Sequence, residues 1–247
     1  MNIYLNSTFN KIRIYDTTYN NDLIRVMEVN GCPQSACFVD DDKRTELVID
    51  YTKYFNIIFN VSNCKEILML GGGGYSYPKY LISHYNDILV DVVEIDNEIK
   101  ECALKYMFLQ DFIEKYDSSR INLITDNGLK YIRSCEKTYD AIINDAYNGN
   151  ELIKDFLNVD FLHSLKSKLR SDGIYITNIL SSLEGENSYI LKNGVNSLKE
   201  VFNNVFVFPC SNSSNVNSIN NNIVLATDKS INIEDFNLDT KDVKKFN

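Results

Sequence analysis

Apolar and polar positions follow one pattern up to about residue 60 and another beyond it. In the first part Lys11-Ile12-Arg13-Ile14-Tyr15 alternates, and Leu23 to Val29 follows the polar turn Asn20-Asn21-Asp22. Residues 3–39 therefore read as short strands, with Asn30-Gly31 as a further turn. From Thr45 to Phe59 the spacing of Leu47, Tyr51, Tyr54 and Ile58 predicts a helix capped by Thr45. Beyond it, strand and helix signals alternate. Strands are expected at 66–70, 89–94, 121–124, 140–144 and 174–179, and helices at 76–85, 97–109, 127–135, 151–169 and 186–201. Two final strands, 204–208 and 222–227, are joined by an Asn/Ser-rich loop and read as a closing hairpin. Such alternation builds a parallel sheet covered on both faces, with a ligand crevice at the strands' C-terminal ends. The expected organisation is an N-terminal β-region with its linking helix over residues 1–60, an α/β domain over 61–228, and a polar tail over 229–247.

The strand tips carry the candidate chemistry. Leu68-Met69-Leu70 empties into Gly71-Gly72-Gly73-Gly74, a turn that brings backbone N–H groups against a ligand with no Cβ in the way. The next strand ends at Glu94-Ile95-Asp96, where an acid is placed to accept hydrogen bonds from a ribose diol. Asp126 follows the third strand, within reach of the exocyclic amine of a purine, and Asn127-Gly128 opens the helix after it. Asp145 ends the fourth strand and faces the same crevice. Four glycines can be no more than a tight turn, and Asp at a strand–helix junction is commonly a helix cap. Acids at successive tips after a glycine turn point instead to a nucleoside site. The glycines miss the G-x-G-x-x-G dinucleotide spacing, since Ser76 or Tyr77 stands in the third place. Tyr75-Ser76-Tyr77-Pro78 suits a nucleoside with a sulfonium-like cationic tail better than a pyrophosphate.

Composition narrows the class. The chain has 247 residues, 44% hydrophobic and 24% charged, as expected of a globular protein. A net charge of −9 without a basic stripe argues against nucleic acid as a partner. No apolar run of about twenty residues suggests a membrane span, and no secretory signal is visible. The six cysteines form no Cys-x-x-Cys pair and histidines number two, so no metal site is expected. Reduced thiols fit a cytoplasmic location.

Leu68-Met69-Leu70-Gly71-Gly72-Gly73, Val93-Glu94-Ile95-Asp96, Thr125-Asp126-Asn127-Gly128 and Tyr139-Asp140-Ala141-Ile142-Ile143-Asn144-Asp145 resemble, in order and spacing, the spermidine synthase family. Ser7-Thr8-Phe9-Asn10-Lys11-Ile12 resembles its opening strand, and Gly31-Cys32-Pro33-Gln34-Ser35 the turn before its first helix. The resemblance implies a Rossmann-like class I S-adenosylmethionine-dependent methyltransferase fold and a homodimer. It also implies S-adenosylmethionine, or its decarboxylated form, as ligand. Gln34 and Glu94 would hold the ribose, Asp126 the adenine amine, and Gly71–Gly74 the region beside the sulfonium, with Ile95 and Asn127 at the same tips. Asp145 would assist the attacking group, and Asp145 and Tyr147 are the catalytic candidates. Three positions depart from the family. Gly74 stands where an Asp would hold the donor's amine end, and Asn148 where a second acid would anchor a diamine. Val48-Ile49-Asp50-Tyr51 replaces the helix motif that bears the substrate tyrosine. Losing two carboxylates removes charge-assisted hydrogen bonds of roughly 1.5–3 kcal/mol each from a diammonium substrate. On this reading methyl transfer to an unidentified small acceptor, with an amine as one candidate, comes first. Aminopropyl transfer with an altered amine site is second, and a non-catalytic nucleoside-binding or interaction domain third.

Overall fold

A computed structural model describes residues 1–148, 151–211 and 215–232. The alternating N-terminal segments form one antiparallel sheet in sequential order: β1 (Asn2–Asn6), β2 (Lys11–Tyr19), β3 (Asp22–Val29) and β4 (Cys32–Phe38). Two-residue turns close β2 on β3 and β3 on β4. Asn20, Asn21, Asn30 and Gly31 all take positive φ there, a conformation that Asn and Gly tolerate and that matches strand twist. One face of this sheet buries Ile12, Ile14 and Met27 in the same hydrophobic cluster as Ile67 and Met69 of the following domain.

The helix expected over 45–59 starts late and is interrupted. Its helical parts are α1 (Asp50–Lys53), a 3-10 turn over Tyr54–Ile57, and α2 (Ile58–Val61). Val48 and Ile49 pack instead with Ile24, Val26 and Ala36 of the N-terminal sheet. Burial of these β-branched side chains holds the segment out of a helix, and Thr45 caps nothing.

From Glu66 onward the order is β5 (Glu66–Leu70), α3 (Ser76–His84), β6 (Leu89–Glu94), α4 (Asn97–Tyr106), α5 (Leu109–Lys115), β7 (Ile121–Thr125), α6 (Gly128–Ser134) and β8 (Tyr139–Asn144). It continues through β9 (Tyr147–Asn148), β10 (Glu151–Leu152), α7 (Val159–Lys166), β11 (Leu169–Ser181), α8 (Tyr189–Val201), β12 (Asn204–Pro209) and β13 (Asn220–Thr227). The sheet runs β12-β13-β11-β8-β5-β6-β7; β11, β8, β5, β6 and β7 are parallel, and β13 pairs antiparallel with both β11 and β12. This is the expected parallel sheet with its closing hairpin. Strand order reverses between β5 and β8, and a ligand crevice belongs at that switch point.

Two helices differ from expectation. The segment 97–109 breaks at Phe108 (φ 59), because Lys79 Nζ and Arg25 Nη1 donate to the carbonyls of Met107 and Tyr106 and satisfy the end of α4. The guanidiniums of Arg25 and Arg44 also lie over the Phe108 ring. In the segment 151–169, the Asn158 side chain accepts from the N–H groups of Asp160 and Phe161. That cap starts α7 at Val159, later than its apolar spacing suggested. The polar tail expected over 229–247 lies outside the described residues from 233 on.

Candidate functional site

Gly71 leaves β5 with φ 92, and Gly73 follows with φ 50. A Cβ at Gly71 would stand 2.7 Å from the backbone oxygen of Asp145, so glycine lets the β5 turn pass against the tip of β8. The turn is tied to both neighbouring strands. Gly71 N–H donates to the Val93 carbonyl and Asp145 N–H to the Leu70 carbonyl, each at 2.9 Å. Glu94, at the end of β6, braces the loop from below. Its Oε2 accepts from the N–H groups of Gly72 (2.9 Å) and Gly73 (3.3 Å), and its Oε1 from that of Asp96 (2.9 Å). Burial pushes the Glu94 carboxyl above its ordinary range, and these three donors oppose that shift. A carboxylate has about four acceptor positions, so one is left for a ligand hydroxyl.

Asp145 is half-buried at the opposite side of the switch point. Tyr51 Oη donates to its Oδ2 at 2.9 Å and Asn178 Nδ2 to its Oδ1 at 3.0 Å. Burial raises its pKa to about 6 against the opposing effect of both hydrogen bonds. Tyr51 was missed as a site residue by sequence reasoning. Its place on the apolar helical stripe marked it as buried, but only the late start of α1 aims its hydroxyl at β8. Tyr147 has both hydrogen-bonding capacities of its hydroxyl engaged by β11, donating to the Asn178 carbonyl and accepting from Leu180 N–H, each at 2.9 Å. Burial raises its pKa above the ordinary phenol value.

A cavity of about 350 Å³ joins these groups, within the range of small-molecule sites. Gln34, Gly71, Gly72, Gly73, Glu94, Ile95, Asn127, Asp145 and Tyr147 of the expected set line it. Asp126 and Gly74 do not. The Asp126 carboxylate accepts from Asn127 N–H at 2.8 Å and lies 3.6 Å from Lys130 Nζ, while the Asn127 side chain caps α6. Gly74 faces Ser35, and a Cβ there would meet the Ser35 Oγ at 2.7 Å. The loop between β1 and β2 also contributes Phe9 and Asn10 to the lining. Ser7 Oγ and Asn10 Nδ2 donate to Asp96 Oδ2, which pins this loop over the end of β6. A glycine turn free of side chains, a buried acid beneath it and a cavity of this size fit an adenosine-bearing ligand.

Residues 43–232 match the family model described as spermine/spermidine synthase domain. The chain belongs to that family. A polyamine aminopropyltransferase of Methanocaldococcus jannaschii is 30% identical over 119 residues, which cover 48% of this chain and 40% of that protein. The chain thus spans less than half the length of this relative. Among solved structures, a probable spermidine synthase from Corynebacterium glutamicum superposes with a TM-score of 0.80 at 19% identity, covering 94% of this chain and 81% of the other. Human methyltransferase-like protein 13 in complex with SAH follows the same architecture, with a TM-score of 0.62 at 20% identity over 76% of this chain and 87% of the other. These two likenesses are of fold, and they agree with the Rossmann-like methyltransferase architecture that the family resemblance implies. Membership of the spermine/spermidine synthase family reverses the order of the functional readings. It gives methyl transfer no support and favours aminopropyl transfer.

Proposed function

We propose that this chain binds decarboxylated S-adenosylmethionine and transfers its aminopropyl group to an amine. One observation carries the reading beyond family membership. Asp145 is ionisable near neutrality and is held by Tyr51 and Asn178 across the cavity from the glycine turn and Glu94. Gln34 and Glu94 would hold the ribose, and Ile95 and Asn127 would border the base. Asp126, turned toward its own helix, would need to rotate to reach the adenine amine. The bound donor supplies an electrophilic carbon beside a sulfonium. The protein's part is alignment, together with a base for the amine's proton. Asp145 is that base. Tyr147, with its hydroxyl committed to β11 and its pKa raised, serves as a wall of the cavity.

The test is release of methylthioadenosine when the purified chain meets the decarboxylated donor and a panel of amines, with S-adenosylmethionine in parallel. Product from the decarboxylated donor alone, abolished by Glu94→Ala, is the expected result. Methylated amine from S-adenosylmethionine, with no methylthioadenosine, would return the methyltransferase reading to first place.

A further inference from the structure

Two asparagine amides join Asp145 to the closing hairpin. Asn178, on β11, is 2% exposed, and both N–H groups of its amide are engaged. One donates to Asp145 Oδ1 at the end of β8 and the other to Asn221 Oδ1 on β13, each at 3.0 Å. Asn221 pairs with Leu180 across the β11–β13 ladder, and its carbonyl accepts from Cys210 N–H at 3.0 Å, so its backbone is held from both sides. An amide carries its N–H groups on one side and its oxygen on the other. If the Asn178 amide turned over, its oxygen would face both Asp145 Oδ1 and Asn221 Oδ1. The titratable groups near Asp145 are Tyr51 from α1, Tyr147 from β9 and Cys210 after β12. Burial pushes all three up, Cys210 to about 12, so they are uncharged near neutrality. Hydrogen bonds, and not a neighbouring charge, therefore oppose the effect of burial on the Asp145 carboxyl.

We infer that Asn221 is a positioning residue for the transfer: without touching Asp145, it keeps the Asn178 amide turned so that it donates to the carboxylate. The inference rests on Asp145 as the base of the aminopropyl transfer proposed above. A base must be ionised when the amine arrives, and a donor fixed toward it favours that form. While Asn221 presents an oxygen, Asn178 can accept from a protonated Asp145 only by setting two oxygens together. With a hydrocarbon at 221 the amide is free to turn, and its oxygen then stabilises the protonated carboxyl, the form that takes no proton. The bond to Asn221 also makes Asn178 a better donor at its other hydrogen, because hydrogen bonds in a chain polarise one another. Both effects favour the ionised carboxylate, and both reach Asp145 only through Asn178. Neither asparagine is among the residues lining the cavity, so β13 acts on the base from outside it.

The test titrates the Asp145 carboxyl by carbon NMR of the full chain, with the signal assigned by its loss in Asp145→Asn. Parent, Asn178→Leu, Asn221→Leu and the double variant are compared. Asn178→Leu is expected to raise the midpoint by about one pH unit, the effect of losing one donor to an ionised carboxylate. Asn221→Leu is expected to raise it by a smaller step and to add nothing in the Asn178→Leu background, as a residue acting through another should. A midpoint unmoved by Asn221→Leu overturns the inference, as does a shift that persists in full in the double variant. Asn221→Ala, at this half-buried position, gives the same reading if the leucine variant does not fold. The titration needs no substrate, so it tests the amide relay independently of the transfer. The acidic limb of methylthioadenosine release is expected to follow the carboxyl in every variant. A limb that stays in place while the carboxyl moves overturns Asp145 as the base and, with it, the part of Asn221 in the transfer. No release from the parent overturns the transfer, and the titration alone then decides the relay.

Discussion

Asp145, the base we propose, combines two properties that a carboxylate at the protein surface rarely has together. It is buried enough to have its pKa raised to about 6, and two side-chain donors hold it in one orientation. A base of this kind takes a proton from an amine above pH 6 and loses that capacity as the pH falls through 6. In a pH profile of kcat/KM the acidic limb should therefore fall near 6, superimposed on the amine's own titration. Asp145→Asn should lower kcat by about 10²–10⁴-fold and remove that limb, the usual span for loss of a positioned base. Tyr51→Phe separates charge from position. The Tyr51 hydroxyl donates to the ionised carboxylate and favours it, so its removal should move the acidic limb up by about one pH unit. Activity should largely return at higher pH. A rate loss equal at every pH would mean that Tyr51 serves packing alone.

At the scale of elements, the β5 turn and the β8 tip are one construction. Gly71 takes a positive φ and leaves no room for a Cβ beside the Asp145 carbonyl, so Gly71→Ala strains the turn and pushes on the residue we propose as the base. We expect about 1–3 kcal/mol of destabilisation, read as a lower urea midpoint, with a loss of kcat larger than the stability change explains. The strand tips that make this site were legible in the sequence, because apolar runs ending in glycine or an acid are local signals. What the sequence left hidden depends on contacts between distant segments. The expected helix over 45–59 ignores the pull of Ile24, Val26 and Ala36 on Val48 and Ile49, and with that error Tyr51 lost its place beside Asp145. The break at Phe108 needs Lys79, Arg25 and Arg44 from three other segments, which no local period reports. The strand tip suggests an adenine contact for Asp126, while in the structure its carboxylate faces the Asn127 N–H and Lys130, at the start of the helix that follows.

Across the whole molecule, site carboxylates and scaffold carboxylates respond to pH with opposite signs. Asp16, beside the Arg25 guanidinium, is held below the ordinary carboxylate range, and Asp228 is likewise lowered with Lys166 as a partner. Their stabilisation is present above about pH 4 and is lost as pH falls. Asp145 is raised from 3.8 to about 6, so its contribution is complete below pH 4 and is lost as pH climbs through 6. Comparison of the chain with Asp145→Asn cancels the scaffold groups, which both proteins share. The melting temperature of the variant should therefore gain on the parent between pH 4 and 7, by about 3–6 °C, and stay level above that. A cationic donor acts against the same cost by placing positive charge beside the ionised carboxylate. At about 100 times its Kd a ligand adds roughly 2.7 kcal/mol of stability. At one fixed concentration of the decarboxylated donor, the rise in melting temperature should be larger at pH 8 than at pH 5 in the parent chain. In Asp145→Asn that difference should shrink. Scanning calorimetry at the two pH values checks both, and an equal pH dependence in parent and variant would place the donor's charge away from Asp145.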